Sequence, residues 1–140
     1  MATSATVTFV ENGREIVKIY HHSDGYIEGV GYNLASYLSR KRVGNGLNIH
    51  TDQNFANGVG CLAAQYIRDF KFNPGSLYIT SLNTSDKYHD YNYRIEINPD
   101  RYATESCNEI TRVIIRKHDD PVPIFVGTLA ELLNFKEKED

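Results

Sequence analysis

Tyr91-Asn92-Tyr93-Arg94-Ile95-Glu96-Ile97 alternates residue by residue, with Tyr91, Tyr93, Ile95 and Ile97 on one side and Asn92, Arg94 and Glu96 on the other. Successive side chains of a strand point to opposite faces, so this period of two predicts a strand with one buried and one polar face. Asn98-Pro99-Asp100 ends it. Glu109 to Lys117 alternates too, setting Thr111, Val113 and Ile115 against Ile110, Arg112, Ile114 and Arg116. Pro121-Val-Pro-Ile-Phe-Val126 is short, and its prolines confine it to a sheet edge or a strand start. Upstream, Ser76 to Leu82 reads as a strand and Asn83 to Asp90 as a polar turn.

The first half mixes both periods. Ala5 to Val10 and Arg14 to Tyr20 flank Asn12-Gly13, a pair suited to the positive φ angles of a type I′ turn, which predicts a hairpin. His21 to Tyr26 reads as a turn segment, with a tight reversal at Asp24-Gly25. A helix is expected from about Gly29 to Arg40, with Val30, Leu34, Tyr37 and Leu38 on one face. Arg40 to Asn57 is Gly/Asn-rich and reads as a long surface loop, of a length often tied to function; whether its 44–57 part closes over a ligand is not written in the sequence. Val59, Leu62, Ala63, Tyr66, Ile67 and Phe70 stripe a second helix, with Asn57 as its N-cap and Asn73-Pro74-Gly75 as its stop. Thr128-Leu-Ala-Glu131 has capping-box spacing and opens a last helix, docked by Leu129, Leu132, Leu133 and Phe135 and fraying from Lys136. The order ββααββββα predicts one α+β domain over 1–140: a mostly antiparallel sheet, two central helices and a short C-terminal helix.

Composition narrows the function classes. The chain has 140 residues, 15 Lys+Arg against 18 Asp+Glu, and a net charge of -3, a balance that disfavours nonspecific nucleic-acid binding. No apolar run approaches the roughly 20 residues of a membrane span, and Met1 to Ala5 lacks a signal-peptide pattern, so a cytoplasmic protein is expected. Two cysteines, Cys61 and Cys107, are too few for a disulfide scaffold or a four-cysteine zinc site. Ten Tyr and six Phe with no Trp make the aromatic content the unusual feature.

Catalytic and metal constellations are weak. The histidines at 21, 22, 50, 89 and 118 show no H-x-x-x-H spacing, so no metal and no cofactor is expected. Cys61 borders an apolar stripe and reads as an inert thiol rather than a nucleophile. Asp24, Asp52 and Asp100 read as turn aspartates. The glycines at 25, 29, 31, 44, 46, 58 and 60 match neither dinucleotide fingerprint nor P-loop, although Asn57-Gly-Val-Gly60 opens a helix whose free amides suit a phosphate.

The polar strand faces say more. Asn92 and Arg94 share one face, Arg112 and Arg116 share a face of a neighbouring strand, and tyrosines at 78, 88, 91, 93 and 102 lie close in sequence. Arginine forks phosphate, an amide reads a base edge and an aromatic ring stacks on a base. If the faces coincide they form a nucleotide-sized recognition kit; the other reading is a solvated face with ion pairs to Glu96 and Glu109.

His22-Ser-Asp-Gly-Tyr26, Glu28-Gly-Val-Gly31 and Asn57-Gly-Val-Gly-Cys-Leu-Ala-Ala-Gln65 together resemble a group of small phage and prophage proteins, the phage Thoeris anti-defence "sponge" family. The resemblance spans most of the chain. It implies a non-enzymatic homo-oligomer in the host cytoplasm that binds cyclic ADP-ribose isomers and withholds them from a host effector, some members also holding cyclic oligonucleotides between subunits. It implies that Asn92 and Arg112 contact the signal, with an aromatic partner near Tyr78, Leu82 or Tyr91. The expected function is therefore sequestration of a cyclic nucleotide messenger, with Asn92, Arg94, Arg112 and Arg116 gripping and Tyr78 and Tyr91 stacking, and with no nucleic-acid or membrane partner. The competing readings are a small nucleotide-hydrolysing or transferring enzyme built on His22 and Asp24, and a protein–protein inhibitor anchored by exposed tyrosines.

Overall fold

Strand β1, Ala5–Glu11, turns back into β2, Arg14–His21, through Asn12 and Gly13, whose φ angles of 48° and 85° are the left-handed pair that the Asn-Gly sequence favours. A computed structural model describes residues 2–44, 53–100 and 104–137. A π-helical turn, Ile27–Gly31, leads directly into helix α1, Tyr32–Ser39. Strand β3, Arg42–Gly44, and strand β4, Phe55–Asn57, precede helix α2, Gly58–Phe70. Then come β5, Leu77–Thr80, a 3-10 turn at Asp86–Tyr88, and β6, Tyr91–Ile97. Strand β7, Glu105–Ser106, runs into the four-residue helix α3, Cys107–Ile110. Strands β8, Thr111–Arg116, and β9, Phe125–Gly127, and helix α4, Leu129–Leu133, complete the described chain.

The fold is α+β. The larger sheet has the order β5-β2-β1-β6-β8-β9. Every pairing in it is antiparallel except that of β1 with β6. Ala5, Val7 and Phe9 of β1 align with Tyr91, Tyr93 and Ile95 of β6, and Ile95 with Val113 of β8, giving one continuous apolar face. Leu34, Leu38, Val59, Leu62, Tyr66, Leu129 and Leu132 from the helices share one buried cluster with that face. Alternation thus does what the sequence predicts: the polar faces of β6 and β8 coincide on the opposite side.

Several expectations are corrected. The segment read as a long loop contains β3 and β4, and β3 pairs with both β4 and β7 in a three-stranded sheet; residues 45–52, with His50 and Asp52 and most of the 44–57 stretch, lie outside the described residues. Strands of two or three residues carry no periodic signal and exist only because a distant partner completes them. Glu109 and Ile110 belong to α3, capped by Ser106, rather than to a strand. Leu133 is exposed rather than docked, while Leu129 and Leu132 are buried and Phe135 packs as expected, its ring centroid 5.0 Å from that of Phe125. Glu137 does not fray: it accepts from Tyr91 Oη at 2.5 Å and pairs with Lys117 at 2.6 Å. The capping box at Thr128 and Glu131 is formed, and β9 is an edge strand that begins at Phe125, after Pro121 and Pro123 rather than with them.

The glycine-rich turn before α1 is set by close backbone approach. A Cβ on Gly29 would stand 2.2 Å from the Asp24 carbonyl oxygen, and one on Gly25 would stand 2.7 Å from the Ser4 backbone. Gly60 on α2 has no such constraint, the nearest atom to its Cβ position being Ile16 Cγ2 at 3.9 Å. Gly29→Ala should therefore cost about 1–3 kcal/mol or more, since backbone cannot move aside cheaply. Gly60→Ala should stabilise by up to about 1 kcal/mol through helix propensity. Urea unfolding that shows the two variants shifting alike would contradict this packing.

Candidate ligand-binding site

The open face of the large sheet carries Lys18 and Tyr20 from β2, Thr6 and Thr8 from β1, Asn92, Arg94 and Glu96 from β6, and Arg112 and Arg116 from β8. A cavity of about 110 Å³ opens between these strands and the 3-10 turn, lined among others by Lys18, Asp86, Asn92, Arg94 and Arg116.

Most of the charge here is already neutralised. Lys18 Nζ reaches Asp86 Oδ1 at 2.6 Å and also donates to the Thr84 carbonyl at 2.6 Å. Arg94 bridges Glu15 and Glu96, both at 2.9 Å, and these carboxylates, Glu96 first apart from the opposing effect of burial, hold its guanidinium above the usual arginine range. Arg112 lies opposite Glu96 in the register, at 3.8 Å, with 60% of its side chain exposed. Arg116 lies opposite Asn92 and has no ion-pair partner among the described residues.

Asn92 is fully committed to the fold. It is 6% exposed; its Oδ1 accepts from Thr6 Oγ1 at 2.5 Å, and its Nδ2 donates to the Asp86 carbonyl at 3.1 Å and the His118 carbonyl at 2.9 Å. A carboxamide offers two donor hydrogens, and both are used. Asn92 is thus a fastener that ties two turns to the sheet. Asn92 and Arg112 also stand four residues apart along the ladder, roughly 13 Å at about 3.3 Å per residue, so they do not converge on one small group. The residue beside Asn92 is Arg116.

The tyrosines separate. Tyr91 lies on the core face with Tyr93, its ring beside Lys117 Nζ at 5.3 Å, and is not part of the arginine face. Tyr78 is on the arginine face, exposed, and stacks on Tyr20 with centroids 5.9 Å apart and planes at 29°. His89 packs on the same Tyr20 ring at 5.2 Å; burial and then the nearby Lys18 charge lower its pKa. Tyr88 and Leu82 are exposed, and Tyr102 lies outside the described residues.

Two other candidate positions are taken. The amide of Val59 at the start of α2 donates to Glu11 Oε2 at 3.1 Å, so a carboxylate of β1, not a phosphate, occupies this helix start, and the Asn57 side chain does not cap it. His22 and Asp24 do not pair: His22 Nδ1 meets Tyr20 Oη at 3.1 Å, and Asp24 Oδ1 accepts from Tyr26 Oη at 3.4 Å. Cys61 is half-buried, with Gln65 Nε2 3.8 Å from its Sγ; Cys107 is fully buried, and burial pushes its thiol up to about 11. Among the described residues no three His, Cys, Asp or Glu side chains are grouped to hold a metal ion, and no helix is long and apolar enough to cross a membrane. No protein-family model, curated protein or solved structure matches the chain.

The residue missed from sequence is His21. It continues the inward face of Val17 and Ile19, so the strand period that located the arginines also places it inside. It is 8% exposed, its Nε2 lies 3.0 Å from Tyr66 Oη, and burial drives its pKa from 6.5 down to about 4. Between those values the unfolded chain binds a proton that the folded chain refuses, so stability falls with falling pH in that window. Going from pH 7 to pH 5 should cost about 2 kcal/mol from this group, with His89 acting in the same direction. In His21→Gln most of that pH dependence should disappear; an unchanged pH profile of chemical unfolding would contradict the assignment.

Proposed function

We propose that the protein is a non-catalytic binder that sequesters a small cyclic nucleotide signal, gripping its phosphates on the open face of the large sheet. The observation that carries this reading is Arg116: a half-buried arginine without an ion-pair partner among the described residues, bordering a cavity that Lys18 and Arg94 also line. A partly desolvated guanidinium with open donors is a strong site for a phosphate. The Tyr20–Tyr78 stack and His89 supply aromatic surface for a base on the same face.

The ligand class rests on the resemblance of the glycine-rich segments to the Thoeris sponge family: a cyclic ADP-ribose isomer, held intact away from an effector. A cavity of about 110 Å³ takes a phosphoryl group, whereas sites that enclose a whole small molecule run to roughly 300–1,000 Å³. The remainder of the ligand therefore needs a second surface, and a second copy of the chain supplies one in this reading. Exposed Tyr78, Ile79 and Leu82 at the β5 edge are suited to such self-association. Sequestration needs only mass action, with protein in excess and tight binding.

Losing one charged hydrogen-bonding partner of a phosphate costs about 1.5–3 kcal/mol, or roughly tenfold to a hundredfold in affinity. Arg116→Ala should weaken binding of a cyclic ADP-ribose isomer by that factor in titration calorimetry, and Arg112→Lys should weaken it less. Ligand recovered after heat denaturation should be intact. Unchanged affinity in both Arg116→Ala and Arg94→Ala would overturn the site, and recovery of a hydrolysed product would overturn the non-catalytic reading.

A further inference from the structure

His21 and Tyr66 lie at a second cavity, of about 270 Å³, on the helix-bearing side of the sheet and so on the face opposite the arginines. We propose that this cavity binds an uncharged purine nucleoside.

Two polar groups along it lack partners. His21 uses Nε2 with Tyr66 Oη, while its other ring nitrogen has no hydrogen-bond partner among the described residues. Ser76 Oγ is buried and also unpaired. Buried polar atoms nearly always find a partner, so the unpaired Ser76 Oγ, lining the same cavity as the His21 ring, marks where a ligand's polar edge would complete it. Burial keeps the His21 ring neutral, so it can donate or accept toward a heterocycle that presents both kinds of group.

The other lining residues select a flat ligand. Val30, Leu77 and Phe70 are apolar, Phe72 is 80% exposed with its ring 6.4 Å from that of Phe70, and Ser23, Asn33 and Asn73 add polar atoms to the wall. Apolar walls with polar atoms between them fit a planar base, whose faces are apolar and whose edge is not. The exposed Phe72 ring offers a face for stacking, which favours an aromatic base over a saturated sugar ring. Asp24 is the one charged residue lining the cavity among the described residues. Its carboxylate accepts from ribose hydroxyls and repels a phosphate, which favours the nucleoside over the nucleotide.

Titration calorimetry of the full chain with adenosine, guanosine, AMP and glucose tests this. At least one nucleoside should bind with one-to-one stoichiometry, and AMP should bind at least about tenfold more weakly than adenosine. Phe72→Ala, at an exposed position, should weaken nucleoside binding about tenfold through lost stacking, while Arg116→Ala leaves it unchanged. Failure of both nucleosides to bind would overturn the proposal. So would AMP binding as well as adenosine, displacement by glucose, an unaffected Phe72→Ala variant, or loss of nucleoside binding in Arg116→Ala, which would place the nucleoside on the arginine face instead.

Discussion

The parallel pairing of β1 with β6, from Ala5 opposite Tyr91 to Glu11 opposite Ile97, is the constraint on which the rest of the structure depends. It places two inner strands side by side in phase, so the apolar residues of both face the helices and the polar residues of both face away. The Thr6–Asn92 hydrogen bond lies on this pairing, and the Asn92 carboxamide then holds the carbonyls of Asp86 and His118. The 3-10 turn that walls the small cavity, and the turn after β8, are thus both fixed by one side chain. A slip of one residue would turn the arginines into the core and bring down every one of these contacts.

Much of this was legible locally. Strict alternation marked β6 and the faces of β8, Asn12-Gly13 marked the hairpin, and Thr128 with Glu131 marked the start of α4. What could not be read depends on distant partners. Nothing near Ala5–Glu11 announces that its second neighbour is a parallel strand about eighty residues on. The same holds for Glu11 capping α2 and for β3 and β4 inside an apparent loop. Asn92 illustrates the limit for function: its residue type suggests base reading, but its surroundings use every hydrogen-bonding group it has.

The candidate site follows from which charges the fold leaves over. Glu15 and Glu96 occupy Arg94, and Asp86 occupies Lys18, so a ligand must compete with existing ion pairs for those cations. The half-exposed Arg94 pairs are worth only about 0–1 kcal/mol each, which makes exchange there thermodynamically accessible, whereas the buried Lys18 ammonium keeps its Asp86 partner. Arg116 requires no exchange, and it borders the same cavity. The glycine-rich segments have packing roles of their own: Gly25 meets the Ser4 backbone, and its carbonyl accepts from Tyr93 Oη at 2.7 Å. Their spacing is thus tied to the core as well as to any binding role.

The most direct measurement is a backbone and arginine side-chain NMR titration with a cyclic ADP-ribose isomer. The account predicts that the largest shifts fall on Arg94, Arg112 and Arg116 and on the surroundings of Tyr20 and Tyr78, with Asn92 keeping its bonds to Thr6 and to the two turns. Shifts confined to the cavity around His21 and Phe72, or no shifts at all at saturating ligand, would contradict it.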